Sequence, residues 1–144
     1  MPSLQERLAA ILSDVMRVEE EPDGGLTVRH DGTFASLRVV TIVEDLDLVS
    51  LTQILAWDLP LTEQVSEQLA KQAREANFGS VTTVEKPAPR AKGTTKTATR
   101  TAAKTADVML RYNFPGAGLT DDALRTLILL VLDSGTRIRN LLVT

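Results

Sequence analysis

Apolar residues recur at helical spacing in three stretches of the chain and alternate with polar ones between them. Leu4, Leu8, Ile11, Leu12 and Val15 form one stripe, with Gln5, Glu6, Arg7 and Asp14 outside it, and Ser3 followed by Glu6 is a capping box. This pattern predicts a first helix that ends in the acidic run Glu19 to Glu21, ahead of Pro22. Leu26 to His30 and the chain from Thr33 onward are β-rich. Asp31-Gly32 between them accepts the positive φ of a tight type I′ turn, so a hairpin follows. Its second strand continues through Leu37, Val39, Val40, Ile42 and Val43 to a turn at Glu44 to Asp47.

Residues 48 to 59 fit two periods: Leu48, Leu51 and Leu55 suit a helix, whereas Leu51, Leu55, Trp57 and Leu59 suit one face of a strand. Thr62 caps a second helix with Val65, Leu69, Ala73 and Ala76 inside, stopped at Asn77 to Gly79. Ser80 to Val84 and Val108 to Tyr112 read as strands. Phe114-Pro-Gly-Ala-Gly118 then breaks the chain before Thr120, which caps a last helix with Asp121 and Asp122 favourably placed against its dipole.

That last helix carries a core stripe of Leu124, Ile128, Val131, Ile138 and Leu142, but Leu127 to Leu132 is apolar without a break. Six residues pass more than once round a helix. Either the excess face meets a second molecule, with Leu127, Leu129, Leu130 and Leu132 in the contact, or the helix is sandwiched within its own domain.

The 144 residues, 43% of them hydrophobic, are the size of one domain spanning 1-144. Aromatic residues are 3%, so the core is aliphatic and a stacking platform for single-stranded nucleic acid is hard to assemble. The absence of cysteine excludes disulfides, thiolate catalysis and zinc fingers. No apolar run exceeds the six residues Leu127 to Leu132, and the N-terminus lacks the signature of a signal peptide, so no membrane association and a cytoplasmic location are expected. The net charge of -3 conceals a segregation: residues 86 to 105 hold six of the sixteen basic residues and no acidic one. With no large apolar side chain, that stretch is read as a flexible Lys/Thr/Ala-rich insertion looping out of the domain.

Candidate chemistry is sparse. His30, the single histidine, sits beside the Asp-Gly turn and reads as a solvated turn residue. No Gly-flanked serine elbow supports a hydrolase, and the acidic runs Glu19 to Glu21 and Glu44 to Asp47 lack the spacing of an EF-hand loop. Gly116-Ala-Gly118 lacks the third glycine of a phosphate-binding loop, and Asp121 and Asp122 would repel the anion. No catalytic residue, metal or cofactor is therefore expected. Lys92, Lys96, Arg100 and Lys104 recur every four residues. Were 92 to 104 to become helical, they would lie on one face able to track a phosphate backbone; the plainer reading is a solubilising linker.

The order of elements resembles the YbjN-like family, relatives of the type III secretion chaperones. The resemblance is carried by Trp57-Asp-Leu-Pro60 before the middle helix, Asn77-Phe-Gly-Ser-Val81 after it, Val108 to Phe114, and Gly118-Leu-Thr-Asp-Asp-Ala-Leu124. It implies an α+β fold in the order α-β-β-β-α-β-β-α, a curved antiparallel sheet of about five strands packed by three helices, with 48 to 59 a strand. It also implies a non-catalytic module that binds a peptide or protein, often as a homodimer; the sheet face, the groove beside it, the Leu127 to Leu132 surface and Trp57 are the expected contacts. The basic insertion departs from the short turn usual in that family. Its alternative implication is a nucleic-acid-associated protein that binds through the insertion.

Overall fold

The computed structural model describes residues 3–87 and 104–143. Its elements are α1 (Leu4–Ser13), β1 (Val18–Glu20), β2 (Leu26–His30), β3 (Thr33–Val43), β4 (Leu46–Pro60), α2 (Glu63–Glu75), β5 (Ser80–Pro87), β6 (Lys104–Pro115) and α3 (Asp121–Val143). The fold is α+β, with three helices and one antiparallel sheet in the order β1-β2-β3-β4-β6-β5.

The sheet has six strands where about five were expected, and the reason lies at the end of α1. The capping box forms as read: Ser3 Oγ accepts from the Glu6 N–H, and the Glu6 carboxylate accepts from the Ser3 backbone. The helix stops at Ser13, because the N–H groups of both Val15 and Met16 turn onto the Leu12 carbonyl. Val15 is left exposed, and Val18 to Glu20 extends to pair with Leu26 to Val28. The acidic run is thus an edge strand and the turn after it, and the observed order is α-β-β-β-β-α-β-β-α.

The Asp31-Gly32 turn forms with φ of 46° and 83°, the positive values that its two residue types accept. Residues 48 to 59 are strand, within β4. Their double periodicity has a local cause: the register against β6 slips between Ile54 and Ala56 and again between Ala56 and Leu59, so simple alternation fails there. Thr62 and Thr120 cap their helices, accepting from Val65 N–H and Ala123 N–H.

All three helices lie on one face of the sheet. Alternate strand residues, among them Leu26, Val28, Leu37, Val49, Leu51, Leu55, Val108 and Leu110, point to them and are essentially inaccessible. From α3, Leu124, Ile128, Val131, Leu132 and Ile138 enter the same cluster at 0% exposure. Leu127 is half-buried against that core. Leu132 therefore cannot belong to a contact surface: it lies on the stripe of Leu124, Ile128 and Val131 that closes onto the sheet. Leu130 is 47% exposed, and the sandwiched reading of the apolar run is the one observed over most of its length.

Two polar ties fix the helical layer. Arg7 on α1 donates to the Asp121 carboxylate and to the carbonyls of Ala117 and Leu119, clamping α1 to the loop before α3. Gln53, fully buried in β4, donates to Thr33 Oγ1 at 2.9 Å and to the Leu132 carbonyl at 3.1 Å, joining the β2–β3 turn to the middle of α3. Among the described residues no helix is long and apolar enough to cross a membrane.

The uncovered sheet face as candidate functional site

The side chains between the buried ones point away from the helices, where no element among the described residues covers them. Antiparallel registry sorts them into rows running across the strands. One row is Arg29–Phe34–Ile54–Met109–Thr82, from β2 through β3, β4 and β6 to β5. Phe34 is 44% exposed, with the Arg29 guanidinium 5.0 Å from its ring centroid. The next row is Thr27–Ser36–Thr52–Arg111–Ser80, small hydroxyl side chains around one arginine. Beyond it lie Arg38, Ser50 and Asn113, and then Val40, Leu48 and Pro115.

Trp57 stands at the other flank of the apolar row. The two bulges lift it out of register, and the single tryptophan of the chain is 62% exposed. Asp58 beside it has a φ of 51°, and its N–H donates to the Asp107 carboxylate at 3.0 Å. The Lys86 ammonium bridges Asp58 and Asp107. The Asp58 N–H, and after it Lys86, hold the Asp107 carboxyl below the usual aspartate range, and the two carboxylates hold the Lys86 ammonium above the usual lysine range. Val84, opposite Asp107, is 47% exposed. The far end of the sheet is also apolar at its surface, through Val40, Ile42, Val43 and Leu46 around the β3–β4 turn.

This face carries cationic groups with no anionic partner. Arg38 is paired with Asp23, whose carboxyl is held low first by the Gly25 N–H and then by Arg38. Arg29 and Arg111 form no ion pair among the described residues. Exposed aromatic and aliphatic side chains with unpaired arginines are the composition of protein-binding surfaces, where arginine and aromatics are over-represented. On the helical side, a groove of about 250 Å³ lies between α2 and β5, lined by Leu61, Leu69, Ala73, Val81 and Ala106 among others.

The sequence-level candidates divide sharply. Trp57 is on the open face, at its most exposed apolar position. Leu127, Leu129 and Leu130 lie on α3, on the helical side of the sheet, and do not join it. Lys92, Lys96 and Arg100 lie outside the described residues. Lys86 and Lys104, the ends of the basic stretch, are strand residues paired with carboxylates, Lys104 facing Glu85 at 3.9 Å. A helix over 92 to 104 would thus have to leave out Lys104, which opens β6 opposite Pro87. Sequence reasoning missed Phe34, Ile54, Met109 and Arg111. Even-odd alternation could have placed the first two on the face away from the core, but their alignment with Met109 and Arg111 comes from the pairing of β4 with β6, a long-range contact that spacing within one strand does not reveal.

In comparisons with known proteins, no family model matches the chain, and no curated protein or solved structure shows significant similarity to it.

Proposed function

We propose that the chain is a non-catalytic protein-binding module that holds an extended or helical segment of a partner on the uncovered face of its sheet. This is the type of role that the YbjN-like and secretion-chaperone resemblance implies. The observation that carries the reading is the exposure of Trp57, Phe34 and Val84 beside Ile54 and Met109 on a face that no helix among the described residues covers. Leaving such groups in water costs about 25 cal/mol for each Å² that a partner would bury. The unpaired Arg29 and Arg111 define the partner's chemistry: a segment with apolar side chains and interspersed carboxylates.

The test compares the wild-type chain with Phe34→Asp and Trp57→Asp as bait for partner proteins in nuclease-treated lysate, followed by affinity measurement with the purified partner. A stoichiometric partner whose affinity falls at least tenfold in both variants, and which binds through an acidic and apolar segment, supports the reading. A partner held equally by both variants places the contact elsewhere and overturns it.

A further inference from the structure

His30 was expected to be a solvated turn residue with no further ligand nearby, but the fold gives it two. Its Nε2 lies 2.7 Å from Asp133 Oδ1 on α3 and 3.5 Å from Asp31 Oδ2 in the turn. The imidazole is 16% exposed, whereas the two carboxylates are 70% (Asp31) and 67% (Asp133) exposed. One donor atom from each of the three residues falls within 4.8 Å of the others. We propose that His30, Asp31 and Asp133 form a binding site for a divalent transition-metal ion, with Zn²⁺ the best-matched, and with water completing its shell on the exposed side.

Three features carry the inference. The first is the donor set. One imidazole nitrogen and two carboxylates suit the borderline ions from Mn²⁺ to Zn²⁺, whereas Ca²⁺ and Mg²⁺ take oxygen-only shells. The second is dimension. Ligand bonds of 2.0–2.1 Å in a tetrahedral shell put donor atoms about 3.3 Å apart. The Asp31 contact already has that spacing, and Asp133 reaches it by retreating about 0.6 Å, which an exposed side chain on a helix surface does freely. The ion takes the Nε2 lone pair, so the one proton of the neutral ring sits on Nδ1 and any second ring proton is released to solvent.

The third feature is preorganisation from below. Asp133 is separated from His30 by most of the chain, yet the elements that bear them are joined through the core. Thr33 Oγ1 donates to the His30 carbonyl at 2.6 Å and accepts from Gln53, which also donates to the carbonyl of Leu132, the residue before Asp133. A buried glutamine thus fixes the backbone on both sides of the site. Rigid support of this kind lowers the ordering cost of assembling ligands from distant segments.

The experiment uses the untagged full chain, titrated with ZnCl₂ by calorimetry alongside CaCl₂ and MgCl₂. Because His30 is the only histidine, imidazole ¹⁵N spectra read the site without ambiguity. One Zn²⁺ per chain is expected, with metallation at Nε2 leaving the proton on Nδ1, and with no comparable binding of Ca²⁺ or Mg²⁺. Asp133→Asn and His30→Gln should each weaken Zn²⁺ binding by at least the roughly tenfold that losing even an outer partner of a metal ligand costs. Asp31→Asn, in an exposed turn, provides a variant whose folding is not at stake. Absence of saturable binding, an unshifted His30 ring at saturation, or undiminished affinity in Asp31→Asn and Asp133→Asn would each overturn the proposal.

Discussion

The α-carbon of Gly135 faces the Gln53 carboxamide so closely that a Cβ built there would overlap Gln53 Oε1. Glycine in a helix interior costs about 1 kcal/mol relative to alanine, so its presence in α3 reflects the space that Gln53 needs. Gly135→Ala should gain that propensity and lose more to overpacking, for a net destabilisation of about 1–3 kcal/mol by urea denaturation. Adding Gln53→Ala to Gly135→Ala removes the overlap, and the double variant should be less destabilised than the two single costs combined.

Leu130 and Leu132 are two residues apart and differ completely in exposure, at 47% and 0%. Leu132→Ala should cost about 2–5 kcal/mol in stability. Leu130→Ser should stay within about 0.5 kcal/mol of the parent chain, as surface changes do. Thermal denaturation of both variants checks the assignment of α3's buried face.

How much of this was legible beforehand depends on whether the cause was local. Ser3, Thr62 and Thr120 announced their helices because a cap is a contact within one turn, and Asp31-Gly32 announced its hairpin because the turn's dihedral angles belong to those two residues alone. The apolar run at Leu127 was ambiguous because the sheet, α1 and α2 all pack around α3, a fact of tertiary contact. The strand at Val18 to Glu20 has no apolar alternation of its own and exists by pairing with β2. The nearness of Asp133 to His30 is a property of the assembled fold, invisible to spacing.

Trp57 is the only tryptophan and is mostly in water, so the isolated chain should emit with a red-shifted maximum. Occupation of the open face should shift that maximum to the blue and protect the indole from acrylamide quenching. A blue-shifted maximum in dilute solution that moves to the red on further dilution would identify the occupant as a second copy.

The Lys86, Asp58 and Asp107 triad makes stability depend on pH at both extremes. Asp107 titrates below its usual range when folded, so its contribution is present above that range and is lost as the pH falls through the lowered value. Lys86 titrates above its usual range, so its contribution is present at lower pH and is lost as the pH rises through the raised value. Urea midpoints should therefore fall below about pH 4. Lys86→Met should flatten the acid-side fall, since it removes one of the two causes that hold Asp107 low.

Replacing Arg7 by methionine removes the charge and three donated hydrogen bonds while keeping an apolar stem. The expected loss is about 1.5–3 kcal/mol, the range for hydrogen bonds to charged groups. Hydrogen exchange should quicken in residues 117 to 121 ahead of the rest of the chain.

Two neighbouring strands of the sheet are far apart in the chain, with α2 and β5 between them: β4 pairs with β6 from Leu48 with Pro115 to Pro60 with Thr105. During synthesis α1 and the meander β1 to β4 emerge first, with Val49, Leu51 and Leu55 of β4 lacking both the β6 strand beside them and the α3 helix that packs on β4. Only when residues 104 to 143 have left the ribosome can β6 dock and α3 close over those leucines. Folding of this domain is therefore gated by residues 104 to 143, and truncation within α3 should yield an aggregating meander in place of a smaller folded domain.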